Sequence, residues 1–446
     1  MSARGEFSSR IGFVLAAAGS AVGLGNIWGF PTKVAENGGA AFVLMYLVMA
    51  FLLAYPVLMA ELIIGRAKRA NMIDALGSLS SSPVSQLAGK ITGSIGLTTV
   101  VFILAFYSIV AGWMIAFFID AATNMLGLNL PWLTTFSELR NLCFMIVFLA
   151  LTGIVVSGGV SGGIERWSVR LMPTLFIIIV ILIIYVSFQD GAMEGWKAYL
   201  VPDFSRVLDP GLLIDAMGQA FFSMSLGVGT MLVYGSYIRK EENLPKLGAS
   251  VALVDIGVAV IAGMLIIPAM YVAANNGVQI FTESGALIQG DSLIFNVLPE
   301  LFKTIEVVGY LVATAFFALM VIAALTSSIS MLEVPVSYLV DNKGFTRNKA
   351  SLVLTLSVML ISGVIVYNYD ALFGLVITLT TEYSQPLLGF ALCIFAGWVW
   401  RRNDILAELK NGNEQAEQGL FWKLWPWYVR FVCPVIIVSM FVKSLV

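Results

Sequence analysis

Histidine is absent from the 446-residue chain, cysteine occurs three times, and only 12% of the residues are charged. The missing imidazole removes the commonest general base, proton shuttle and metal ligand at once. Cys143, Cys393 and Cys433 sit in apolar runs with no CxxC or paired spacing, which argues against a disulfide framework or thiolate metal site and leaves them as packing residues. Charge is balanced as well as scarce: 25 basic against 27 acidic residues give a net charge of −2, with no polybasic tract for nucleic acid. Any chemistry here runs on carboxylates, hydroxyls, carbonyls and helix ends.

What is abundant is apolar surface. Hydrophobic residues make up 59% of the chain, and a soluble domain carries about twice this share of charge, so the sequence belongs in lipid. A helix needs about 20 apolar residues to cross the hydrocarbon core. Eleven such stretches are present, near residues 10–33, 40–65, 91–122, 140–157, 168–188, 211–237, 248–274, 305–340, 349–368, 371–400 and 424–445. The piece from Ile280 to Leu298 is too short to span and reads as an external re-entrant or hairpin segment. The first apolar run is long and interrupted and has no clear cleavage site, so it is expected to stay in the mature protein.

Lys and Arg fix the expected orientation. Of the 25, 18 fall in the set of connections that contains the N-terminus and 6 in the opposite set, with Arg430 inside the last span. The positive-inside rule then places the N-terminus in the cytoplasm, and an odd number of spans places the C-terminus outside.

Two spans are interrupted. The first reads Gly19-Ser-Ala-Val-Gly-Leu-Gly-Asn26 and ends Trp28-Gly-Phe-Pro31, and the sixth reads Phe222-Ser-Met-Ser-Leu-Gly-Val-Gly229. Broken helices five spans apart point to two five-helix repeats of a secondary transporter, with a binding site near the midplane. Unwinding frees N–H and C=O groups that lipid cannot satisfy. The freed carbonyls suit a hard cation and the half-helix N-termini suit a carboxylate. Taken singly, Gly19 and Gly23 could instead be a GxxxG packing face. On this reading residues 1–446 form one domain, with repeats over 10–188 and 211–400 and an eleventh helix at 424–445.

The eighth span carries Ala323, Thr326, Ser327 and Ser330 at i, i+3, i+4 and i+7, a column of small and hydroxyl residues on one face. Such hydroxyls serve a hard cation or merely bond their own backbone. Asp255 lies nine residues beyond Lys246, about 14 Å along a helix, which sets a carboxylate near the midplane and marks it as a functional candidate. Glu61, Glu333 and Glu382 are further acids within spans, with structural and functional readings both open.

These segments resemble the neurotransmitter:sodium symporters, in particular their bacterial amino-acid members with the leucine-transporter fold. The resemblance covers nearly the whole chain: Arg4, the motif from Gly19 to Pro31, Glu36 to Phe42, Glu61 to Arg66, Tyr107, Ser225 to Gly229, and Leu325 to Ser328. It implies an all-α membrane protein of eleven helices, a 5+5 inverted repeat with helices 1 and 6 unwound.

The same resemblance implies two sodium sites. One takes Ala21, Asn26, Ser223 and Asp255; the other takes Gly19, Val22, Ala323, Thr326 and Ser327. Many members have Asn where this chain has Asp255, and chloride-dependent members have Ser where it has Ala259, so chloride is not expected to be required. The substrate carboxylate would meet Leu24, Gly25 and Tyr107, its amine Ala21, Phe222, Ser223 and Ser225, and its side chain Ile103, Val228, Ser328 and Met331, with Phe222 as lid. Arg4, Tyr237 and Asp341 fit a cytoplasmic gate, and Gly163 to Pro173 fits a Gly-X9-Pro pattern that lets helix 5 unwind. The family's outer-gate Arg is replaced by Gly29, and Asp370 lies near its usual acidic partner.

The function implied is sodium-coupled uptake of a neutral, hydrophobic amino acid across a bacterial inner membrane by alternating access. The alternatives are another zwitterion, GABA-like or taurine-like, or a channel or sensor that keeps the fold. No organic cofactor, nucleic acid or enzymatic activity is expected. A membrane enzyme built on Asp255 and Glu382 lacks any nucleophile motif, metal cluster or nucleotide loop.

Overall fold

The computed structural model describes every residue except 1–4, 202–203, 205–206, 208, 281–292, 305 and 445–446. Arg4 and most of the expected Ile280 to Leu298 segment therefore lie outside the described residues. Among those described, all regular elements are helical. In chain order they are α1 (Arg10–Ala21), α2 (Gly25–Glu36), α3 (Ala40–Lys68), α4 (Met72–Gly77), α5 (Pro83–Met125), α6 (Glu138–Ser157), α7 (Val160–Ser187), α8 (Ala192–Leu200), α9 (Pro210–Ser223), α10 (Thr230–Gly235), α11 (Leu244–Asn275), α12 (Leu298–Thr304), α13 (Glu306–Lys343), α14 (Arg347–Tyr367), α15 (Tyr369–Val399), α16 (Arg402–Lys410) and α17 (Leu420–Ser439).

Helix starts follow local chemistry. Ser9 accepts from the Gly12 N–H at 2.9 Å at the head of α1, Asn71 caps α4, and Asn243 accepts from the Lys246 N–H at 3.1 Å before α11. Each side-chain oxygen satisfies an N–H that the first turn leaves unpaired. Pro83 and Pro210 stand at helix starts, where a missing N–H costs nothing.

Among the described residues eight helices are long and apolar enough to cross a membrane, or ten when two pairs bent at a short break are counted as one span each. One such pair is α1 with α2, bent by 55°. The expected sixth span stands outside this tally because it consists of α9 and α10 separated by residues 224–229, each piece too short alone. Outward faces carry exposed Ile154, Ile181 and Leu360, as lipid contact requires. Cys393 and Cys433 are buried, but Cys143 is exposed on α6, so packing accounts for only two of the three.

The core sits around α5, the most enclosed of the spans, which packs along α13. A Cβ at Gly65 would run into the Leu232 carbonyl, so this glycine lets α3 approach α10 at backbone distance. That approach brings the side chain of Glu61, one turn back on α3, beside the gap between α9 and α10.

Candidate functional site

The first break is held open by side chains from distant helices. Val22 leaves the helix with φ −69° and ψ 100°. Ser327 on α13 donates to the Val22 carbonyl at 3.1 Å and the Gly19 carbonyl at 3.3 Å. The Leu24 N–H points to the Tyr107 hydroxyl on α5 at 3.4 Å, and the Gln219 amide donates to the Gly25 carbonyl at 2.7 Å. Groups that lipid would leave unpaired thus find protein partners.

The second break, Met224 to Gly229, has Ser225, Gly227 and Gly229 at positive φ of 50°, 89° and 82°. Glycine supplies two of these left-handed positions without steric cost. Glu61 accepts from the Gly227 N–H at 2.7 Å and the Leu232 N–H at 3.0 Å. This buried acid is a cap for the α10 N-terminus, which resolves its open assignment in favour of structure. Gln385 on α15 donates to the Leu226 carbonyl at 2.9 Å.

Where the breaks face each other, Asn26, Ser223 and Asp255 form one buried cluster. Asn26 Nδ2 donates to Asp255 Oδ1 at 2.7 Å and to Ser223 Oγ at 2.9 Å, and Ser223 donates to Asp255 Oδ2 at 3.0 Å. Tyr46 adds a hydroxyl 3.3 Å from Ser223. Ala259, one turn along α11, is also buried.

On the other side of the first break, the hydroxyl column of α13 faces α1. Besides the two Ser327 bonds, Ser20 donates to Ser330 at 2.6 Å, and Thr326 donates to the Ala323 carbonyl at 3.0 Å. A Cβ at Gly19 would sit 3.2 Å from both the Thr326 Cβ and the Met172 sulfur, so Gly19, Thr326 and the middle of α7 meet here. Ser327 thus joins the Gly19 and Val22 carbonyls directly, with Thr326 packed beside Gly19 and its hydroxyl on the Ala323 carbonyl. Among the described residues no three acidic or cysteine side chains converge. A cation in either place would be held by carbonyls, hydroxyls and at most one carboxylate, the donor set of a hard monovalent ion.

Between the two clusters lies a small cavity lined by Ala21, Leu24, Gly25, Ile103, Tyr107, Phe222, Ser223, Ser225, Val228 and Met331, all expected from the sequence. Gly23, Ser327 and Gln385 line it as well. Ser328 does not: its hydroxyl bonds the Leu325 carbonyl at 2.9 Å and lies 2.8 Å from Thr152 on α6. One step beyond Ser327 is about 100° around a helix, which turns Ser328 away from the break.

At the end of the bundle that holds Gly5, Tyr237 and Asp341 border a common cavity with Arg69 and Arg347. Tyr237 donates to Glu333 at 2.6 Å, Arg347 pairs with the same carboxylate, and Asp341 accepts from the Asn71 N–H at 3.1 Å. Gly163 lies in a π-helical turn, Val160–Glu165, and Pro173 lies inside the α-helix that follows, so the segment expected to unwind is helical in this structure. Glu165 accepts from the Ser8 N–H and hydroxyl, both at 2.7 Å, tying that turn to the N-terminal segment. At the other end, the position a Cβ would take at Gly29 is 3.4 Å from the Gln219 amide oxygen. Asp370 instead borders a separate cavity with Glu138 and Tyr369, while Glu382 borders one with Lys33, Asp215 and Gln385. Sequence reasoning missed Gln219, Gln385 and Glu165, whose roles depend on what they face across the bundle.

Residues 4–143 and 134–446 match the sequence profile of the Sodium:neurotransmitter symporter family. An uncharacterized sodium-dependent transporter of Bacillus subtilis is 34% identical over 98% of this chain and 97% of its own length. The human sodium- and chloride-dependent GABA transporter 2 is 24% identical over 99% of this chain and 80% of its own. Among solved structures, MhsT in complex with L-phenylalanine superposes with a TM-score of 0.85 at 34% identity, covering 99% of this chain and all of MhsT.

Proposed function

The chain belongs to the sodium:neurotransmitter symporter family, and from that premise we propose that it is a sodium-coupled carrier of a neutral, mainly hydrophobic amino acid. The observation that carries this reading is the central cavity, bordered by both helix breaks, with Asp255, Asn26 and Ser223 on one side and Ser327 with the Val22 carbonyl on the other. MhsT, the structural relative, holds phenylalanine, and the walls formed here by Ile103, Val228 and Met331 are apolar.

In this reading the Leu24 and Gly25 amides and the Tyr107 hydroxyl receive the substrate carboxylate, and the Ser223 and Ser225 end receives its amine. One sodium lies with Ala21, Asn26, Ser223 and Asp255, where the substrate carboxylate completes its shell. The other lies with Gly19, Val22, Ala323, Thr326 and Ser327. A shared ligand makes each partner raise the other's affinity by the same factor. Asp255 supplies a fixed negative charge, so no chloride is needed. A four-helix bundle rocks against the remaining scaffold about this site while the N-terminus faces the cytoplasm, and release follows when the Gly163 to Pro173 stretch loosens beside Gly19. Ser328 is removed from the specificity set on its geometry.

Uptake of labelled amino acids into proteoliposomes, with and without an inward sodium gradient, tests the proposal. Saturable uptake that needs sodium is expected; equal uptake in both conditions would reject coupling, and none of twenty amino acids being carried would reject the substrate class.

A further inference from the structure

Gln385 is held at a cavity wall by contacts of its own backbone, its neighbour and its side chain. The preceding Ser384 lies 2.7 Å from the Thr99 hydroxyl, which fastens α15 to α5. A Cβ at Gly227 would fall 2.6 Å from the Gln385 carbonyl, so the backbone of α15 abuts the second helix break directly. The side-chain Nε2 then donates to the Leu226 carbonyl at 2.9 Å. Because a carbonyl can only accept, that bond also decides which end of the amide is which.

The other end is unsatisfied. Gln385 is 3% exposed, and its Oε1 has no hydrogen-bond partner among the described residues. A buried acceptor without a partner is uncommon and costly. The residue borders the central cavity together with Ile103, Val228 and Met331, whose side chains offer a ligand no oxygen. In the reading above, the hydroxyls of Tyr107, Ser223 and Ser225 serve the substrate's backbone, and that of Ser327 is taken up by the Gly19 and Val22 carbonyls.

We propose that Gln385 is a specificity-determining residue: its Oε1 accepts a hydrogen bond from an N–H or O–H on the substrate's side chain, so that the favoured amino acids carry a donor on an otherwise apolar frame. This rests on the amino-acid reading above. A site built to pair with a substrate donor discriminates against the analogue that lacks it, because the acceptor is then left unpaired.

The test uses two pairs that differ in one hydroxyl at different depths, tyrosine against phenylalanine and threonine against valine, as competitors of sodium-driven uptake by the full-length chain and by Gln385→Met. In the unsubstituted chain the hydroxyl-bearing member of at least one pair should compete about 2- to 10-fold better, the range of one neutral hydrogen bond. Gln385→Met should bring that ratio towards one while the apolar member competes as before. A ratio at or below one for both pairs in the unsubstituted chain overturns the role of Gln385, and needs no variant to assemble. So does a ratio that survives the substitution. Failure of every amino acid to be carried in sodium overturns the amino-acid reading, and this proposal with it.

Discussion

Asn26 Nδ2 donates to the Asp255 carboxylate at 2.7 Å, joining the break in the first span to the middle of α11. Both groups are fully buried, and the same carboxylate accepts from Ser223 on the opposite break. One charge therefore touches both halves of the proposed transport site. Asp255→Asn keeps the shape and removes the charge. A hydrogen bond to a charged group contributes about 1.5–3 kcal/mol, so the sodium concentration for half-maximal uptake should rise between about 10- and 100-fold, or uptake should acquire a need for chloride. Sodium titrations of uptake in chloride and in gluconate decide this; an unchanged titration in both removes Asp255 from the ion site.

Ser327 tests the proposed second ion site separately. It contributes a neutral oxygen and bonds the carbonyls of Gly19 and Val22. Ser327→Ala should weaken sodium binding by about 2- to 10-fold even without amino acid, because no substrate group takes part there. Thermal stability of the purified protein titrated with sodium alone reads this directly. An effect confined to conditions with substrate would place Ser327 in the cavity wall only.

Local signals in the sequence account for much of this site. Clustered glycines marked both breaks, the acid Asp255 within an apolar run stood out and is buried, and i, i+3, i+4 periodicity aligned Thr326, Ser327 and Ser330. What failed was rotation and partnership. Ser328 neighbours Ser327 in sequence but faces Thr152, a difference that a list of polar residues does not contain. Gln219 and Gln385 were invisible because an amide in a span acquires meaning only from the carbonyl it faces, Gly25 for one and Leu226 for the other. Glu61 was visible as a buried acid, but its role as a cap depends on Gly65 letting α3 lie against α10.

That cap has an energetic consequence. Glu61 holds the Gly227 and Leu232 N–H groups, and leaving a buried donor unpaired costs about 1–3 kcal/mol. Glu61→Ala should therefore lose about 2–6 kcal/mol, with Glu61→Gln in between because its amide retains one acceptor oxygen. Melting temperatures in detergent should fall in the order unsubstituted, Gln, Ala. A Gln variant no more stable than the Ala variant would mean that the negative charge, not the acceptor, holds the break.

Arg66 anchors the C-terminal end of α3. Its guanidinium is fully buried, pairs with Glu408 on α16 at 2.5 Å, and donates to the carbonyls of Glu242, Lys240 and Glu408. A planar fork fits that arrangement and a single ammonium does not. Glu408→Gln strands a buried charge, at a cost of about 3–5 kcal/mol, and should lower the melting temperature more than Lys410→Gln, whose pair with Glu417 is exposed. Equal effects would show that the Arg66 carbonyl contacts suffice without the carboxylate.

The Glu165 carboxylate bears on the proposed opening of an inner path. It accepts from the Ser8 N–H and hydroxyl at 2.7 Å and from the Ser9 hydroxyl at 3.1 Å, while its own backbone ends the π-helical turn that contains Gly163. A Cβ at Gly12 would collide with this carboxylate, so the contact requires glycine at that point. If these contacts couple the two segments, release of the N-terminal segment and loosening of α7 occur as one event. Glu165→Gln replaces charge-assisted bonds with neutral ones about half as strong, so both segments should exchange their amide hydrogens faster, by roughly tenfold for a loss of about 1.4 kcal/mol. Hydrogen exchange followed by mass spectrometry, in saturating sodium, reads peptides around residues 8–12 and 160–173 in one experiment. Acceleration of both together is the expected result. Faster exchange at 8–12 with 160–173 unchanged would show that the N-terminal segment leaves without loosening α7, and the opening of the inner path would then need a different trigger.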